Sequence, residues 1–112
     1  MNIFLIGFMG SGKSTVGKRL ASSLQYEFSD VDEMIMKGEN LTIEEIKKKK
    51  GEDYFRQLET QYLRNLYYGK KNNVIATGGG LPCHDGNMDY MNNHGMTAYL
   101  QLTPGQLFYR LK

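Results

Sequence analysis

Cysteine is almost missing. Cys83 stands alone in 112 residues, so no disulfide can form within the chain. No cysteine and histidine cluster has metal-ligand spacing; His84 and His94 lie in polar, loop-like sequence and carry no assigned role. Cys83 has no activating neighbours in sequence and reads as inert. No apolar run approaches the roughly 20 residues of a membrane span. The net charge is only +2, too small to argue for nucleic acid or a membrane surface as partner. The opening MNIFLIGFMG has an apolar run without a basic region before it, so it reads as a strand and not as a signal peptide. No internal repeat is found. Together these absences favour the cytoplasm. What remains is ordinary for a soluble globular protein: 40% apolar and 23% charged residues, at a length that fits one domain.

Strands and helices alternate in the pattern. Residues 3–6 form a short apolar strand, and residues 7–12 a glycine-rich loop. Over 13–24, Val16, Leu20, Ala21 and Leu24 share one face at helical spacing. A second strand is expected over 26–29, then a helical turn or two over 32–37, closed by Gly38. Thr42 with Glu45 three residues on reads as a capping box that opens a helix ending near Gly51. The next helix is expected to run to about Tyr68 with Phe55, Leu58, Tyr62, Leu63 and Leu66 as its stripe, and Gly69 as stop signal. Strands follow over 74–77 and 96–102, with a short helix over 86–93 between them. Thr103 is expected to cap a last helix with Pro104 at its first position. Lys47 to Lys50 reads as a solvated helix face. The class is α/β: a parallel sheet with right-handed crossovers and helices on both faces.

GFMGSGKST fits G-x-x-x-x-G-K-[ST] at Gly7, Gly12, Lys13 and Ser14, between a predicted strand and a predicted helix. Such a loop can turn successive backbone N–H groups inward as a nest for phosphate oxygens. The helix that follows adds its positive dipole end. Gly10, Ser11, Gly12, Lys13, Ser14 and Thr15 are therefore the candidate nucleotide-binding residues. Lys13 would reach the β- and γ-phosphates, and the Ser14 hydroxyl would ligate Mg²⁺. A plain strand-to-helix turn needs neither the lysine nor the hydroxyl. ATP or GTP binding follows; which reaction uses it does not.

Three further stretches fall at the same predicted edge. FSDVDEMI places Asp30 and Asp32 two apart beyond the second strand, where strand spacing would project both carboxylates one way. The carboxyl ends of parallel strands are where open α/β sheets bind ligands. Capped-helix acids at the surface are the alternative. GEDYFRQLE puts Arg56 and Glu59 at i, i+3, so a carboxylate can hold a guanidinium. Taken alone, that pair reads first as a surface ion pair; aimed into a cleft, the arginine would take a substrate carboxylate bidentately. VIATGGGLP ends a core strand on Gly78, Gly79 and Gly80. Either a demanding turn or the close approach of a ligand to bare backbone would call for them.

In this order and at these distances, GFMGSGKST, FSDVDEMI, LTIEEI with GEDYFRQLE, and VIATGGG resemble shikimate kinase over essentially the whole chain. That resemblance implies a three-layer α-β-α P-loop fold, like that of nucleoside monophosphate kinases, with five parallel strands. It implies ATP-dependent phosphorylation of the 3-hydroxyl of shikimate, toward chorismate and the aromatic amino acids, with Mg²⁺ as the metal. Lys13 and Ser14 keep their roles, and Asp30 would sit near the metal through water. Asp32 would hold the shikimate hydroxyls and is the candidate base. Arg56 would clamp the carboxylate with Glu59 orienting it, and Phe55 would pack against the ring. Gly78, Gly79 and Gly80 would line the substrate pocket, and Arg110 resembles the arginine that lies over adenine. A monomer is expected, with no nucleic acid or membrane partner.

Two departures stand out. The family commonly has an aromatic pocket wall where this chain has Lys47, in EIKKKKGE. Either the lysine stem covers the same surface while its charge snorkels out, or the wall differs. The family also continues into a lid arginine, a further strand and a second substrate-binding arginine, so residues 1–112 read as a piece with four strands. That piece is expected to transfer phosphate poorly or not at all, since a comparable arginine elsewhere is worth roughly 10³–10⁵ in rate. Two rival readings stay open: a gluconate or nucleoside monophosphate kinase of the same fold, and a nucleotide-binding module without activity.

Overall fold

β1 (Asn2–Gly7) is buried from end to end. A strand covered on both faces must be apolar on both, and NIFLIG is. Its side chains part with period two. Ile3 and Leu5 pack with Val74, Ala98 and Ala21 on one side, while Phe4 and Ile6 pack with Ile35, Ile46 and Ile75 on the other. Each such side chain, fully buried, contributes about 1.5–3 kcal/mol.

The structure, a computed structural model, describes residues 2–7, 13–66, 72–78, 81–83, 86–103 and 106–111; side chains at 13, 14 and 99–111 lie outside that description. After β1 come α1 (Lys13–Leu24), β2 (Glu27–Asp30), α2 (Val31–Glu39), α3 (Ile43–Lys50), α4 (Glu52–Asn65), β3 (Asn73–Ala76), a 3₁₀ turn (Leu81–Cys83), α5 (Asn87–His94), β4 (Met96–Thr103) and β5 (Gln106–Leu111). The sheet order is β2-β3-β1-β4-β5. The first four strands in that order are parallel, as the alternating pattern predicts. In register, Asp30 stands opposite Ala76 and Ala76 opposite Leu5. That alignment brings the ends of β2 and β3 level with the stretch of β1 that leads into the phosphate loop.

Three expectations are corrected. The last helix is a strand: β5 pairs antiparallel with β4, from Thr103 opposite Gln106 to Ala98 opposite Leu111. The sheet therefore has five strands where four were expected, and Arg110 stands on a strand opposite Tyr99. The outer edge of β4 offers a row of backbone partners, which β5 takes up. Gly38 does not close α2. The helix runs through it to Glu39 and ends on Asn40, which takes the left-handed conformation. Gly38 is small because the Tyr62 hydroxyl from α4 occupies the space a side chain would need. Asp30 and Asp32 do not share strand spacing either, because β2 ends at Asp30 and α2 begins at Val31.

The helix starts follow local chemistry. Thr42 Oγ1 accepts from Glu45 N at 3.1 Å, and Glu45 Oε1 accepts from Thr42 N at 2.9 Å, the predicted capping box. Asp30 caps α2, its Oδ1 accepting from Glu33 N at 3.1 Å. α3 and α4 meet at Gly51, whose φ of +94° suits only glycine. α4 ends at Asn65; Gly69 and the expected continuation to Tyr68 fall partly outside the described residues.

Candidate substrate site

Asp32 sits in the first turn of α2, with the Asp30 cap before it. That half-turn swings its carboxylate away from the strand direction and over the end of β3. Thr77, directly after β3, is buried, and both its N–H and its hydroxyl donate to the carbonyl of Leu5, at 3.1 and 3.0 Å. This double bond to β1 sets where the chain goes next, at Gly78.

Gly78 is where three elements meet. A Cβ there would stand 2.7 Å from Glu59 Oε2 and 2.9 Å from Asp32 Oδ1. The carboxylates of α2 and α4 thus reach over bare main chain, and a methyl group would displace both. The glycine requirement at this position comes from the protein's own side chains. Gly79 and Gly80 lie outside the described residues.

Glu59 is buried, 1% exposed, on the core face of α4. Its Oε1 accepts from Arg56 Nη1 at 2.8 Å, while Arg56 Nη2 lies 3.7 Å from the exposed Glu52. Arg56 keeps 24% of its side chain open to solvent. One end of the guanidinium is therefore anchored and the rest is accessible, which is what bidentate capture of a carboxylate needs. Burial raises the pKa of Glu59; the Arg56 hydrogen bond and charge oppose the rise, Asp32 adds to it, and Lys47 opposes it.

Phe55 belongs to the core and is 3% exposed. Arg56 Cζ lies 5.6 Å from its ring centroid and Lys47 Nζ 5.1 Å. The lysine run is not one solvated face. Lys48 and Lys49 are exposed, Lys50 pairs with Glu39 at 3.2 Å, and Lys47 is half-buried over Phe55.

Of the remaining predicted site residues, Lys13 and Ser14 open α1 and Thr15 is exposed on it. Gly10, Ser11 and Gly12 lie outside the described residues, as do the side chains of Lys13, Ser14 and Arg110. The structure thus brings together Asp32, Arg56, Glu59 and Gly78, with the Phe55 ring near Arg56 and Asp30 at the head of the same helix as Asp32.

Asn87 was not read from sequence. It is fully buried; Nδ2 donates to Thr60 Oγ1 and to the Leu81 carbonyl, each at 3.0 Å, and Oδ1 accepts from Arg64 at 3.4 Å. It ties the turn that follows the glycines to α4. Nothing in GNMDY distinguishes it from a loop asparagine, so only the tertiary contact reveals it.

A family model described as shikimate kinase matches residues 9–112. The shikimate kinase of Persephonella marina is 46% identical, over 99% of this chain and 67% of its own length. That of Aquifex aeolicus is 48% identical, over 96% of this chain and 63% of its own. The crystal structure of the Aquifex aeolicus shikimate kinase aligns with a TM-score of 0.84, covering 92% of this chain and 61% of that one. The shikimate kinase from Acinetobacter baumannii in complex with shikimate aligns with a TM-score of 0.84 at 41% identity, covering 91% of this chain and 56% of that one. The chain spans 56% to 67% of the length of these relatives. With its motifs, its fold and these relatives in agreement, the chain belongs to the shikimate kinase family.

Proposed function

We propose that the protein transfers the γ-phosphoryl group of ATP to the 3-hydroxyl of shikimate, in the biosynthesis of chorismate and the aromatic amino acids. Residues 1–112 serve as one P-loop kinase domain of a cytoplasmic monomer. The observation that carries this is the convergence on Gly78, where Asp32 and the Arg56–Glu59 pair meet at the carboxyl edge of the sheet. A neighbour of the same fold is described in complex with shikimate, which supports the same acceptor here.

Each residue has a task in that reaction. Arg56, held by Glu59, takes the carboxylate of shikimate and sets the ring's orientation. Asp32 accepts from the ring hydroxyls, aligns the 3-hydroxyl and receives its proton as the 3-oxygen bonds to the γ-phosphorus and the bond from that phosphorus to ADP breaks, with ADP leaving. Gly78 and the glycines after it give the ring room against main chain, with the amide of Gly79 as donor. Phe55 supports the apolar side of the ring from below. The phosphate-loop amides and Lys13 balance charge on the moving phosphoryl group, so that catalysis is mostly positioning and electrostatics. Arg110 covers the adenine.

Mg²⁺ suits the oxygen donors available, the Ser14 hydroxyl directly and the Asp30 carboxylate through water. One Asp30 oxygen is engaged in capping α2, which orients the group at the sheet edge. When bound, the ion would neutralise charge on the β- and γ-phosphates.

The test is an ADP-release assay on the full chain with shikimate, gluconate and AMP offered as acceptors. Shikimate alone should drive ADP release above background. Release driven by gluconate or AMP, with shikimate silent, would overturn the assignment.

A further inference from the structure

The contacts around the end of β3 close into a circuit. Leu81 N–H donates to the Gly78 carbonyl at 3.2 Å. The Leu81 carbonyl accepts from Asn87 Nδ2 at 3.0 Å. The same Nδ2 donates to Thr60 Oγ1, also at 3.0 Å. Thr60 follows Glu59 in α4, and Glu59 Oε2 stands 2.7 Å from the point that a Cβ on Gly78 would occupy. The path therefore returns to Gly78.

Asn87 is the member that joins separate elements. It opens α5 and is fully buried, while Leu81 begins the 3₁₀ turn and Thr60 belongs to α4. A carbonyl only accepts, so the side-chain atom that faces Leu81 must be a donor. Asn87 supplies that donor, and its Oδ1 accepts from Arg64 at 3.4 Å. On the other side of Gly78, Thr77 is bonded twice to the Leu5 carbonyl of β1. Gly78 is thus held by β1 from one side. From the other it is held, through Leu81 and Asn87, by the helix that carries Arg56 and Glu59.

We propose that Asn87 is a positioning residue for phosphoryl transfer: through Leu81 it fixes Gly78 relative to Asp32 and Glu59, and so sets the geometry of the acceptor site without touching the acceptor. This rests on the acceptor site described under Proposed function. The competing account is a structural one, in which a satisfied buried asparagine fastens α5 to α4 and adds nothing to turnover.

Asn87→Asp keeps the shape of the side chain and puts an acceptor where the Leu81 carbonyl needs a donor. Thr60→Val removes the other partner at nearly constant volume and is the milder variant. Thr60→Ser keeps the hydroxyl, and Asp89→Asn is the exposed control in α5. Steady-state constants of the full chain for shikimate and ATP are measured per folded molecule, well below each thermal midpoint. Misplaced reacting groups predict about tenfold lower kcat/KM for shikimate in Asn87→Asp. The KM for ATP should stay near that of the parent. Thr60→Val should lose in the same way but by less, Thr60→Ser should recover most of that loss, and Asp89→Asn should change nothing. A lowered midpoint with unchanged kcat/KM for shikimate is the signature of the fastener and would overturn the proposal while leaving the acceptor assignment standing. So would an equal rise in both KM values. Should Asn87→Asp not fold, Thr60→Val decides by the same criteria. If the parent phosphorylates gluconate or AMP in place of shikimate, the acceptor assignment fails. Asn87 is then judged on that acceptor: a loss of kcat/KM in Asn87→Asp upholds it and no loss overturns it. A parent that phosphorylates none of them overturns both.

Discussion

Glu59 carries a cost that the fold retains. A carboxylate 1% exposed, facing Asp32 across Gly78, would rather be neutral, and its pKa is raised, first by burial. Because its folded pKa lies above the unfolded one, its contribution to stability is full below the ordinary value near 4.5 and is lost as pH rises through the raised value. Glu59→Gln should therefore be stabilised relative to the parent as pH is taken from 4 to 8, while binding the acceptor carboxylate more weakly because Arg56 is held less firmly. Urea denaturation of both proteins across that range checks it; a stability difference that does not change with pH would sink the idea. The Arg56–Glu59 partnership was legible in sequence, since i, i+3 neighbours on a helix must meet. The meeting of Asp32, Glu59 and Gly78 was not. It joins residues far apart in the chain, and only the register of β2 and β3 with the packing of α4 creates it. One signal was present: Glu59 sits in the apolar stripe of Phe55, Leu58 and Leu63, where a carboxylate needs a reason.

Helix boundaries were legible wherever the cap chemistry is local. α1 occupies the predicted residues, and the Thr42 box opens α3 as expected. Where a cap depends on backbone conformation, sequence misled. α2 passes through Gly38 to end on Asn40, which takes the left-handed conformation. A glycine two residues before an asparagine looks like the stop; the Tyr62 hydroxyl against Gly38 explains why it is not. The box at Thr42 has reach beyond α3, because that helix places Ile46 in the core and Lys47 over Phe55. Thr42→Ala removes a reciprocal pair of bonds and should cost about 1 kcal/mol. Measured by urea denaturation, the loss should be cut when Ser replaces Ala, since Ser also caps. Equal stability of the Ala and Ser variants would show that the cap contributes nothing.

At the scale of the molecule, the parallel sense of β1 to β4 was readable because strands alternate with helices, but the strand order and the outer edge were not. Thr103-Pro104 is a good helix start, and Pro104-Gly105 is also a good turn. The deciding difference lies outside the segment. The outer edge of β4 offers backbone partners, and leucine, phenylalanine and tyrosine at 107–109 are residue types that suit a strand. β5 closes that edge antiparallel, at the opposite side of the sheet from β2 and the Asp32 site. The backbone of Gln106–Leu111 should accordingly show strand-like carbon chemical shifts and cross-strand contacts between Gln101 and Phe108. Its amides should exchange faster than those of central β1, since an edge opens before the core does. Helical shifts over the same residues would restore the helix that the sequence suggested and return β4 to the edge.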